Sequence, residues 1–364
     1  MRERKKILLV LPSLSGGGAE RVMLTLSKFL NREVFEVYLV VIIKKGAYID
    51  IIPDNVNIIY FNSSRVRYSF IKMIRLILDI KPKFVFSTLG QFNLMMAFIR
   101  LFISREIKFI GRESNTVSVR NKDMRFPKIY NKLYKLLYPN LDLVICQSEY
   151  MRKDLIYNYG FPESKAVVIN NPVDTEEIEK KMDIDVGFPL QRNKINLLAV
   201  GRLVNQKGFD LLLASFSLLD TRYVLTILGE GPLEVHLKKM AIDLNISERV
   251  NFEGFVNNPY AYMKGADIFV LSSRYEGFPN VVLEANACGL PVIAFDSPGG
   301  VREILGAGVG GELVPNGDVR ELAQRILNFD FSKFSPAETK AVIKTNYCKA
   351  RIIKMYEDAL LGML

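Results

Sequence analysis

The sequence predicts an α/β protein made of two doubly wound domains that face each other across a cleft. Its 364 residues are too many for one ordinary core and suit two domains of about 150–200 residues each. Short apolar runs alternate with amphipathic helical stretches along the chain, which is typical of a parallel sheet covered by helices on both faces. The pattern restarts after a turn at residues 170–174. Both domains are therefore expected to be Rossmann-like, with ligands at the carboxyl ends of their strands.

The predicted first domain covers residues 1–170 and the predicted second domain covers residues 171–347. A closing helix at about 348–364, apolar along one side, is a candidate to pack back on the first domain. The first domain is predicted to hold strands at Lys6–Leu11, Phe35–Ile43, Asn57–Tyr60, Phe84–Ser87, Ile107–Ile110, Leu143–Cys146 and Ala166–Ile169. The second is predicted to hold strands at Ile195–Val200, Tyr223–Leu228, Val250–Phe252, Ile268–Leu271, Pro291–Phe295 and Gly311–Val314.

The composition excludes several classes of protein. Apolar residues make up 49% of the chain and charged residues 24%, which predicts a folded globular protein rather than a disordered one. Three cysteines cannot form a disulfide framework, and they favour a reducing, cytoplasmic setting. The one histidine, His236, is expected at the surface of a helix. Histidine-rich metal sites are excluded, and so are Ser/His and Cys/His catalytic pairs that do not use His236.

The net charge of +10 is concentrated in the first half of the chain. Residues 1–170 hold 28 basic and 14 acidic side chains, whereas residues 171–364 hold 21 and 25. This split predicts an anionic partner for the first domain alone, with nucleic acid and an anionic membrane surface as the two candidates.

Three basic segments of the first domain, at 65–81, 92–110 and 120–138, interleave basic with apolar or aromatic residues. Such helices are typical of membrane-surface elements, although core helices with solvated lysines give the same pattern. Lys128, Lys132 and Lys135 can share one helical face and are the membrane-facing candidates. No segment reaches the roughly 20 apolar residues of a membrane span.

The first strand leads into a glycine turn, Gly16-Gly17-Gly18, and then a helix. Glycines at such a joint let backbone N–H groups approach a phosphate, although tight packing alone explains many of these turns. A dinucleotide fingerprint would need glycine at Arg21 and an acidic residue at the end of the second strand, where Lys44 and Lys45 stand. NAD binding is therefore disfavoured.

Two loops of the second domain follow its first two strands. Gly201-Arg202 and Lys207-Gly208 place two cations five residues apart at the carboxyl end of a strand, where they can clamp a diphosphate. A solvated basic loop is the alternative interpretation. Gly229-Glu230-Gly231 forms another strand–turn–helix joint, for which structural punctuation is the favoured role.

The stretch Ser272–Ala285 is the most informative part of the sequence. A strand ends, a Glu-Gly-Phe-Pro turn follows, and a helix begins near Asn280. Glu284 lies one turn into that helix, so it and Glu276 can face one ligand while free amides at the helix start face its phosphate. Because carboxylates accept hydrogen bonds from vicinal hydroxyls, one glutamate can bind a ribose and the other a sugar.

Together these motifs resemble, in order and spacing, those of the family-4 retaining glycosyltransferases, which have the two-domain GT-B architecture. The resemblance covers essentially the whole chain and is strongest over residues 196–305. Asn257–Tyr260 and Gly16–Arg21 look especially like bacterial enzymes that add N-acetylgalactosamine or related sugars to polyprenyl-diphosphate-linked glycans.

The resemblance implies roles for individual residues. Arg202 and Lys207 would hold the donor diphosphate and stabilise the departing charge, Glu276 would bind the transferred sugar, and Glu284 would bind the ribose. Gly16 and Gly17 would let the acceptor domain close over the diphosphate. The other implied donor-binding residues are Gly201, Gly229, Gly277, Phe278, Asn280 and Val281.

The resemblance implies no metal and no other cofactor, because Arg202, Lys207 and backbone amides would do the work of an ion. Asp183-Ile184-Asp185 fits an Asp-x-Asp metal motif, but it lies far from a strand end and is interpreted as a chance surface match. The sequence departs from the family where many relatives carry a histidine near the sugar. Glu113 or Ser114 occupies that place, and both stay candidates on the acceptor side.

The function that follows is a retaining, metal-independent hexosyltransferase. It would move N-acetylgalactosamine or a related hexose from a nucleotide sugar to a lipid-linked or cell-surface glycan. UDP is the preferred nucleotide, and GDP is the alternative. The enzyme would be cytoplasmic and peripherally associated with the inner face of the cell membrane. The alternatives are a nucleotide-sugar epimerase and, with less support, a nucleic-acid-binding protein.

Overall fold

The computed structural model describes residues 4–15, 17–46, 48–49, 52, 56–185, 187, 191 and 193–364. The chain forms two compact units, one of Met1–Pro172 with Ala350–Leu364 and one of Val173–Lys349. Both boundaries lie two residues later than predicted. Backbone hydrogen bonds explain this shift, because they join the two connecting segments of the chain within the second unit. Val173 N–H donates to Tyr347 O (2.8 Å), and Lys349 N–H donates to Val173 O (2.9 Å).

The first unit is built on a seven-stranded parallel sheet with the order β3-β2-β1-β4-β5-β6-β7. Its strands are β1 (Lys5–Leu11), β2 (Phe35–Val41), β3 (Asn57–Tyr60), β4 (Phe84–Thr88), β5 (Lys108–Arg112), β6 (Leu143–Cys146) and β7 (Ala166–Val168). Its first helices are α1 (Gly18–Phe29), α2 (Phe70–Ile80), α3 (Gly90–Ile99), α4 (Val117–Lys122), α5 (Pro127–Leu137) and α6 (Glu149–Tyr159).

Both faces of this sheet are buried, as a parallel sheet requires. Along β1, Ile7, Leu9 and Leu11 face one apolar cluster, whereas Leu8 and Val10 face the other. This double burial explains why the strands read as continuous apolar runs.

The second unit repeats the arrangement with six parallel strands in the order β10-β9-β8-β11-β12-β13. Its strands are β8 (Ile195–Val200), β9 (Tyr223–Leu228), β10 (Val250–Gly254), β11 (Ile268–Leu271), β12 (Val292–Phe295) and β13 (Gly311–Val314). Its helices are α7 (Thr175–Lys181), α8 (Phe209–Phe216), α9 (Glu234–Asp243), α10 (Pro259–Gly265), α11 (Asn280–Cys288), α12 (Val301–Leu305), α13 (Val319–Leu327) and α14 (Pro336–Asn346).

The last helix, α15 (Lys349–Leu361), packs on the sheet of the first unit. Its Tyr356 is fully buried, with its ring centroid 6.0 Å from that of Phe86 on β4. The Tyr356 hydroxyl accepts a hydrogen bond from Arg112 Nε at 3.0 Å. The closing segment of the chain thus completes the core of the first unit.

The predicted fold class, two parallel α/β domains, is confirmed. A strand occurs at each of the thirteen predicted positions within the described ranges, with ends that differ by at most two residues. Across those same ranges, no helix combines the length and apolarity that crossing a bilayer requires.

Candidate functional site

Two loops of the second unit bring the predicted cation and the predicted carboxylate together. Strands β8 and β11 are neighbours in the sheet, so the loops after their carboxyl ends lie side by side. Lys207, in the loop after β8, places its Nζ 2.7 Å from Oε1 of Glu276, in the loop after β11. Ser273 Oγ donates to the same carboxylate oxygen at 2.6 Å. The Glu276 side chain is only 7% exposed, so this is a largely buried ion pair.

Arg202, the second predicted cation, lies at the start of the same loop and is exposed. Its guanidinium forms no ion pair with a carboxylate of the described residues. The loop therefore offers one cation that is already paired and one that faces solvent.

The two loops are also joined by Arg274, which sequence reasoning did not single out. Its guanidinium forms a two-point ion pair with Asp210 on α8, with N–O distances of 2.8 and 2.6 Å. It also donates to Asn205 O at 2.8 Å, and the Arg274 backbone N–H donates to Gln206 O at 2.8 Å. A two-point guanidinium–carboxylate pair fixes geometry more tightly than a lysine contact does. Arg274 therefore holds the Lys207 loop against the Glu276 loop.

The turn after Glu276 rests on the loop that follows β12. Glu276 N–H donates to Pro298 O at 2.9 Å, and Gly300 N–H donates to Gly277 O at 2.8 Å. A Cβ atom added at Gly299, whose φ is +131°, would lie 2.0 Å from the carbonyl oxygen of Glu276. Sequence reasoning missed this support, and its only signal was the Pro-Gly-Gly that follows a strand.

Helix α11 begins at Asn280, directly after the Glu-Gly-Phe-Pro turn. Glu284 lies in its second turn and is buried at 7% exposure. Phe278 is buried against Tyr347, with ring centroids 5.7 Å apart, while Val281 is half-buried. The structure thus places Glu276, Gly277, the amides at the α11 start and Glu284 in one continuous segment.

Close packing of two loops explains the glycine at 229. Its φ is +133°, and an added Cβ would lie 2.0 Å from the carbonyl oxygen of Gly201. Gly201 N–H in turn donates to Leu228 O at 2.9 Å. These contacts support the structural role, and a role of Gly201 and Gly229 in donor binding stays a prediction.

In the first unit, the glycine turn leads into α1, and Gly17 is the residue before that helix. A Cβ added at Gly17 would lie 2.5 Å from Oε2 of Glu20, the end of a flexible side chain, so packing by itself does not require glycine there. Gly16 lies outside the described residues. The donor contact predicted for these two glycines stays a prediction.

Glu113 directly follows β5 and is buried at 2% exposure. Its Oε1 accepts hydrogen bonds from the hydroxyl of Tyr138 and from Asn93 Nδ2, the latter at 3.3 Å. Burial raises the pKa of Glu113 to about 7, and the neighbouring Arg120 guanidinium and the Asn93 hydrogen bond oppose that rise. This carboxyl is therefore held inside the unit with a pKa near neutrality.

Ser114, the other acceptor-side candidate, is half-buried, whereas Glu113 is enclosed. Gly90, at the start of α3, adjoins the same cluster, because an added Cβ there would lie 2.9 Å from Glu113 Oε2. Leu89 just before it has a φ of +74°, an uncommon backbone conformation for a branched residue. The strand ends around Glu113 are thus tightly constrained.

Helix α5 is amphipathic and exposes its three lysines, as the sequence predicted. Lys128, Lys132 and Lys135 are all exposed. Three large apolar side chains beside them are more than half exposed: Phe126 (53%), Ile129 (57%) and Leu136 (61%). Tyr134, on the inner side of the helix, is 1% exposed. Helix α2, in the basic segment at residues 65–81, likewise exposes Ile71 (62%) and Leu78 (54%).

The two features that the sequence analysis set aside lie at the surface. His236 on α9 is exposed. Asp183 and Asp185 are exposed as well, and Asp183 pairs with Lys264 at 2.5 Å. The part of the chain that the structure describes holds no group of three or more acidic, histidine or cysteine side chains arranged for a metal.

The same architecture occurs in solved structures. A glycosyltransferase from Rickettsia africae superposes with a TM-score of 0.81 at 18% identity, covering 99% of this chain and 98% of that one. HepE from Anabaena, solved in complex with UDP-glucose, also superposes with a TM-score of 0.81, at 20% identity, covering 99% of this chain and 100% of HepE. The fold is therefore that of the two-domain GT-B glycosyltransferases.

Sequence comparison then gives the family. Residues 16–177 match Glycosyltransferase Family 4, and residues 180–330 match the glycosyl transferases group 1. The chain is 33% identical over 314 residues to an enzyme of Campylobacter jejuni, N-acetylgalactosamine-N,N'-diacetylbacillosaminyl-diphospho-undecaprenol 4-alpha-N-acetylgalactosaminyltransferase, covering 83% of this chain and 84% of the relative. The chain belongs to glycosyltransferase family 4. Its classification as a glycosyltransferase, predicted from the motifs, is confirmed.

Proposed function

We propose that this glycosyltransferase moves N-acetylgalactosamine or a related hexose from a UDP-linked donor to a polyprenyl-diphosphate-linked glycan, with retention of anomeric configuration. The observation that carries the proposal is the 33% identity, over most of both chains, to the Campylobacter jejuni enzyme whose name gives that sugar and that lipid-linked acceptor. Support for UDP also comes from HepE, which was solved with UDP-glucose. Because the family is one of transferases, the epimerase and nucleic-acid alternatives are not carried forward.

In this proposal the donor lies along the carboxyl ends of β8 and β11. Arg202 and Lys207 bind the diphosphate, Glu284 accepts hydrogen bonds from the ribose, and Glu276 accepts them from the sugar. The amides at the start of α11 point toward the β-phosphate, where a helix N-terminus favours negative charge.

The reaction breaks the bond between the anomeric carbon and the β-phosphate oxygen. The electron pair stays on the leaving diphosphate, and an acceptor hydroxyl forms the new bond and passes its proton to an oxygen of that diphosphate. Fixed cations and amides stabilise the diphosphate charge as it develops, which is the role that a metal ion fills in other transferases.

In this proposal the first unit binds the acceptor and the membrane surface. The exposed lysines of α5 would lie on anionic lipid, with Phe126, Ile129 and Leu136 entering the interface. This arrangement would place the enzyme at the inner face of the cell membrane, where a lipid-linked acceptor is found. The net positive charge of residues 1–170 supports it.

A donor screen tests the proposal without an acceptor. UDP- and GDP-linked hexoses and N-acetylhexosamines would be measured for thermal stabilisation of the protein and for slow hydrolysis. We expect UDP-N-acetylgalactosamine or a close relative to raise the melting temperature most and to be hydrolysed. Stabilisation by GDP-sugars alone, or by no nucleotide sugar, would refute the proposed donor.

A further inference from the structure

The side chains that we assign to the diphosphate and to the sugar are bonded to each other. Lys207 Nζ lies 2.7 Å from Glu276 Oε1, and the Lys207 side chain is 21% exposed against 7% for Glu276. Ser273 Oγ donates to the same oxygen, and the Glu276 backbone is tied to Pro298. The carboxylate is thus fixed in place beside the ammonium group.

A diphosphate that binds Lys207 therefore brings its own negative charge next to this buried carboxylate. Like charges this close repel each other strongly, because the surroundings screen them poorly. Lys207 has three N–H donors and can donate to the phosphate and to Glu276 together. Its positive charge is then divided between two anions, so it compensates the charge of Glu276 less fully.

A nucleotide sugar and a nucleoside diphosphate differ in the hydrogen-bond donors and the charge that they place beside Glu276. The sugar brings hydroxyl groups, which can donate hydrogen bonds to the carboxylate and compensate the phosphate charge. The nucleoside diphosphate brings no such donor, and its terminal phosphate carries additional negative charge because it is not esterified. A buried charge that loses its compensation costs free energy.

We propose that Glu276, through its ion pair with Lys207, discriminates against the nucleoside diphosphate product in favour of the nucleotide sugar. The inference rests on the proposed function and deepens it. Glu276 would weaken the binding of free UDP and so favour its release after transfer, in addition to contacting the sugar.

Calorimetric titration of UDP and of UDP-N-acetylgalactosamine into wild type and Glu276→Gln tests the proposal. The amide keeps the size of the side chain and removes its charge. We expect UDP to bind about tenfold more tightly to Glu276→Gln, and the ratio of the two dissociation constants, UDP over UDP-N-acetylgalactosamine, to fall by at least that factor. Glu276→Ala should shift UDP binding in the same direction, which covers the case in which the amide variant does not fold.

Two further variants serve as controls. Glu312→Gln removes a carboxylate from another ion pair of the same unit, with Arg325 at 3.0 Å, and should leave both affinities unchanged. Glu284→Gln, assigned to the ribose that both ligands share, should weaken both together and leave their ratio unchanged.

Unchanged or weaker UDP binding in both Glu276 variants would overturn the inference while leaving the proposed function intact. An equal gain in UDP affinity in Glu312→Gln would also overturn it, because the effect would then come from net charge alone. A wild-type protein that binds neither ligand would overturn the proposed function itself, and the inference with it.

Discussion

Glu276 in the second unit and Glu113 in the first both lie just beyond the carboxyl end of a parallel strand, yet their surroundings differ. Glu276 shares a hydrogen-bonded ion pair with Lys207 and receives a second hydrogen bond from Ser273. Glu113 is bonded to Tyr138 and Asn93, and burial raises its pKa to about 7. The Glu276 carboxylate forms an ion pair with an ammonium group, whereas the Glu113 carboxyl accepts its hydrogen bonds from a hydroxyl and an amide, with the Arg120 guanidinium nearby.

The same contrast holds for the cations of the two units. In the second unit, Lys207 and Arg274 lie within the loops at the strand ends, where they bind carboxylates of neighbouring loops and helices. In the first unit, the lysines of α5 are on the outer surface, and the buried Arg112 at the end of β5 donates to the neutral side chains of Tyr356, Thr88 and Asn171. The comparison teaches that the same sheet topology can place basic side chains in the loops at the carboxyl ends of its strands or on the exposed faces of its helices. The predictions below test that difference, from the largest expected effect to the smallest.

Lys207→Ala should lower sugar transfer by roughly two to three orders of magnitude, the scale of losing one preorganised charge-stabilising group. The fold should survive with a lower melting temperature, because the Glu276 carboxylate loses its ion-pair partner and keeps the Ser273 hydrogen bond. Steady-state transfer rates and melting temperatures would be measured together, with Lys264→Ala, which removes a surface ion pair, as the control. Wild-type turnover in Lys207→Ala would remove this residue from the site.

Reversing the three lysines of α5 to glutamate should weaken binding to anionic vesicles by roughly a hundredfold or more, since each basic residue near a surface contributes about 1 kcal/mol. Transfer to a long-chain acceptor should slow, while donor hydrolysis should stay near normal. Cosedimentation at low and high salt provides the measurement.

The matched control for this charge reversal is a triple lysine-to-glutamate variant of Lys238, Lys239 and Lys264, all exposed in the second unit. It changes the net charge equally and should still bind vesicles. Equal loss in both triple variants would show that net charge matters and the α5 surface does not. Undiminished binding in the α5 variant would leave the segment at residues 65–81 as the next to test.

Arg274→Gln should lower transfer about tenfold, because it releases the Glu276 loop from the Lys207 loop. Asp210→Asn should have a similar effect if Arg274 acts by positioning. In the Lys207→Ala background, Arg274→Gln should then add little, since the group that it positions is gone. Arg325→Gln removes a comparable ion pair on α13 and should leave the rate unchanged. If Arg274→Gln lowers the rate by the same factor in the Lys207→Ala background as in wild type, Arg274 does not act by positioning Lys207.

Glu113 should make the stability of the protein depend on pH. Its pKa is about 7 in the folded protein and 4.5 ordinarily, so the folded state binds more protons between these values. The contribution of this group to stability is therefore greatest at and below about pH 4.5, and it is lost as pH rises to about 7. Burial is the main cause of the raised pKa and Asp154 adds to it, whereas Arg120, the Asn93 hydrogen bond and Arg112 oppose it.

Melting temperatures at pH 5 and pH 8 check this expectation. The decrease should be several degrees smaller in Glu113→Gln, which carries no titrating proton, than in the wild-type protein. Equal decreases in the two proteins would mean that Glu113 is ionised throughout.

Excess EDTA should leave the transfer rate unchanged, because Arg202, Lys207 and the α11 amides are proposed to stabilise the leaving diphosphate. Loss of activity that magnesium or manganese restores would contradict this expectation. It would also return attention to Asp183 and Asp185.

The amino-acid sequence alone determined the fold class, the approximate positions of the strands in the described residues and the segments proposed to carry the site. Parallel strands buried on both faces need continuous apolar runs, and such runs can be recognised without knowing their neighbours. The same holds for the Glu-Gly-Phe-Pro turn with Glu284, because a turn, a helix start and a spacing of eight residues are local features. The glycine at 229 was likewise recognised as a turn residue.

Only the tertiary structure decided which of these residues touch. Lys207 and Glu276 are 69 residues apart, and Arg274 and Asp210 are 64 apart; both pairs meet because β8 and β11 are adjacent in the sheet. Arg112 and Tyr356, 244 residues apart, meet because α15 returns to the first unit. The enclosure of Glu113 depends on α3 and on the residues that follow α5. Strand order and helix packing depend on the free energy of the whole fold, so no local pattern encodes these contacts.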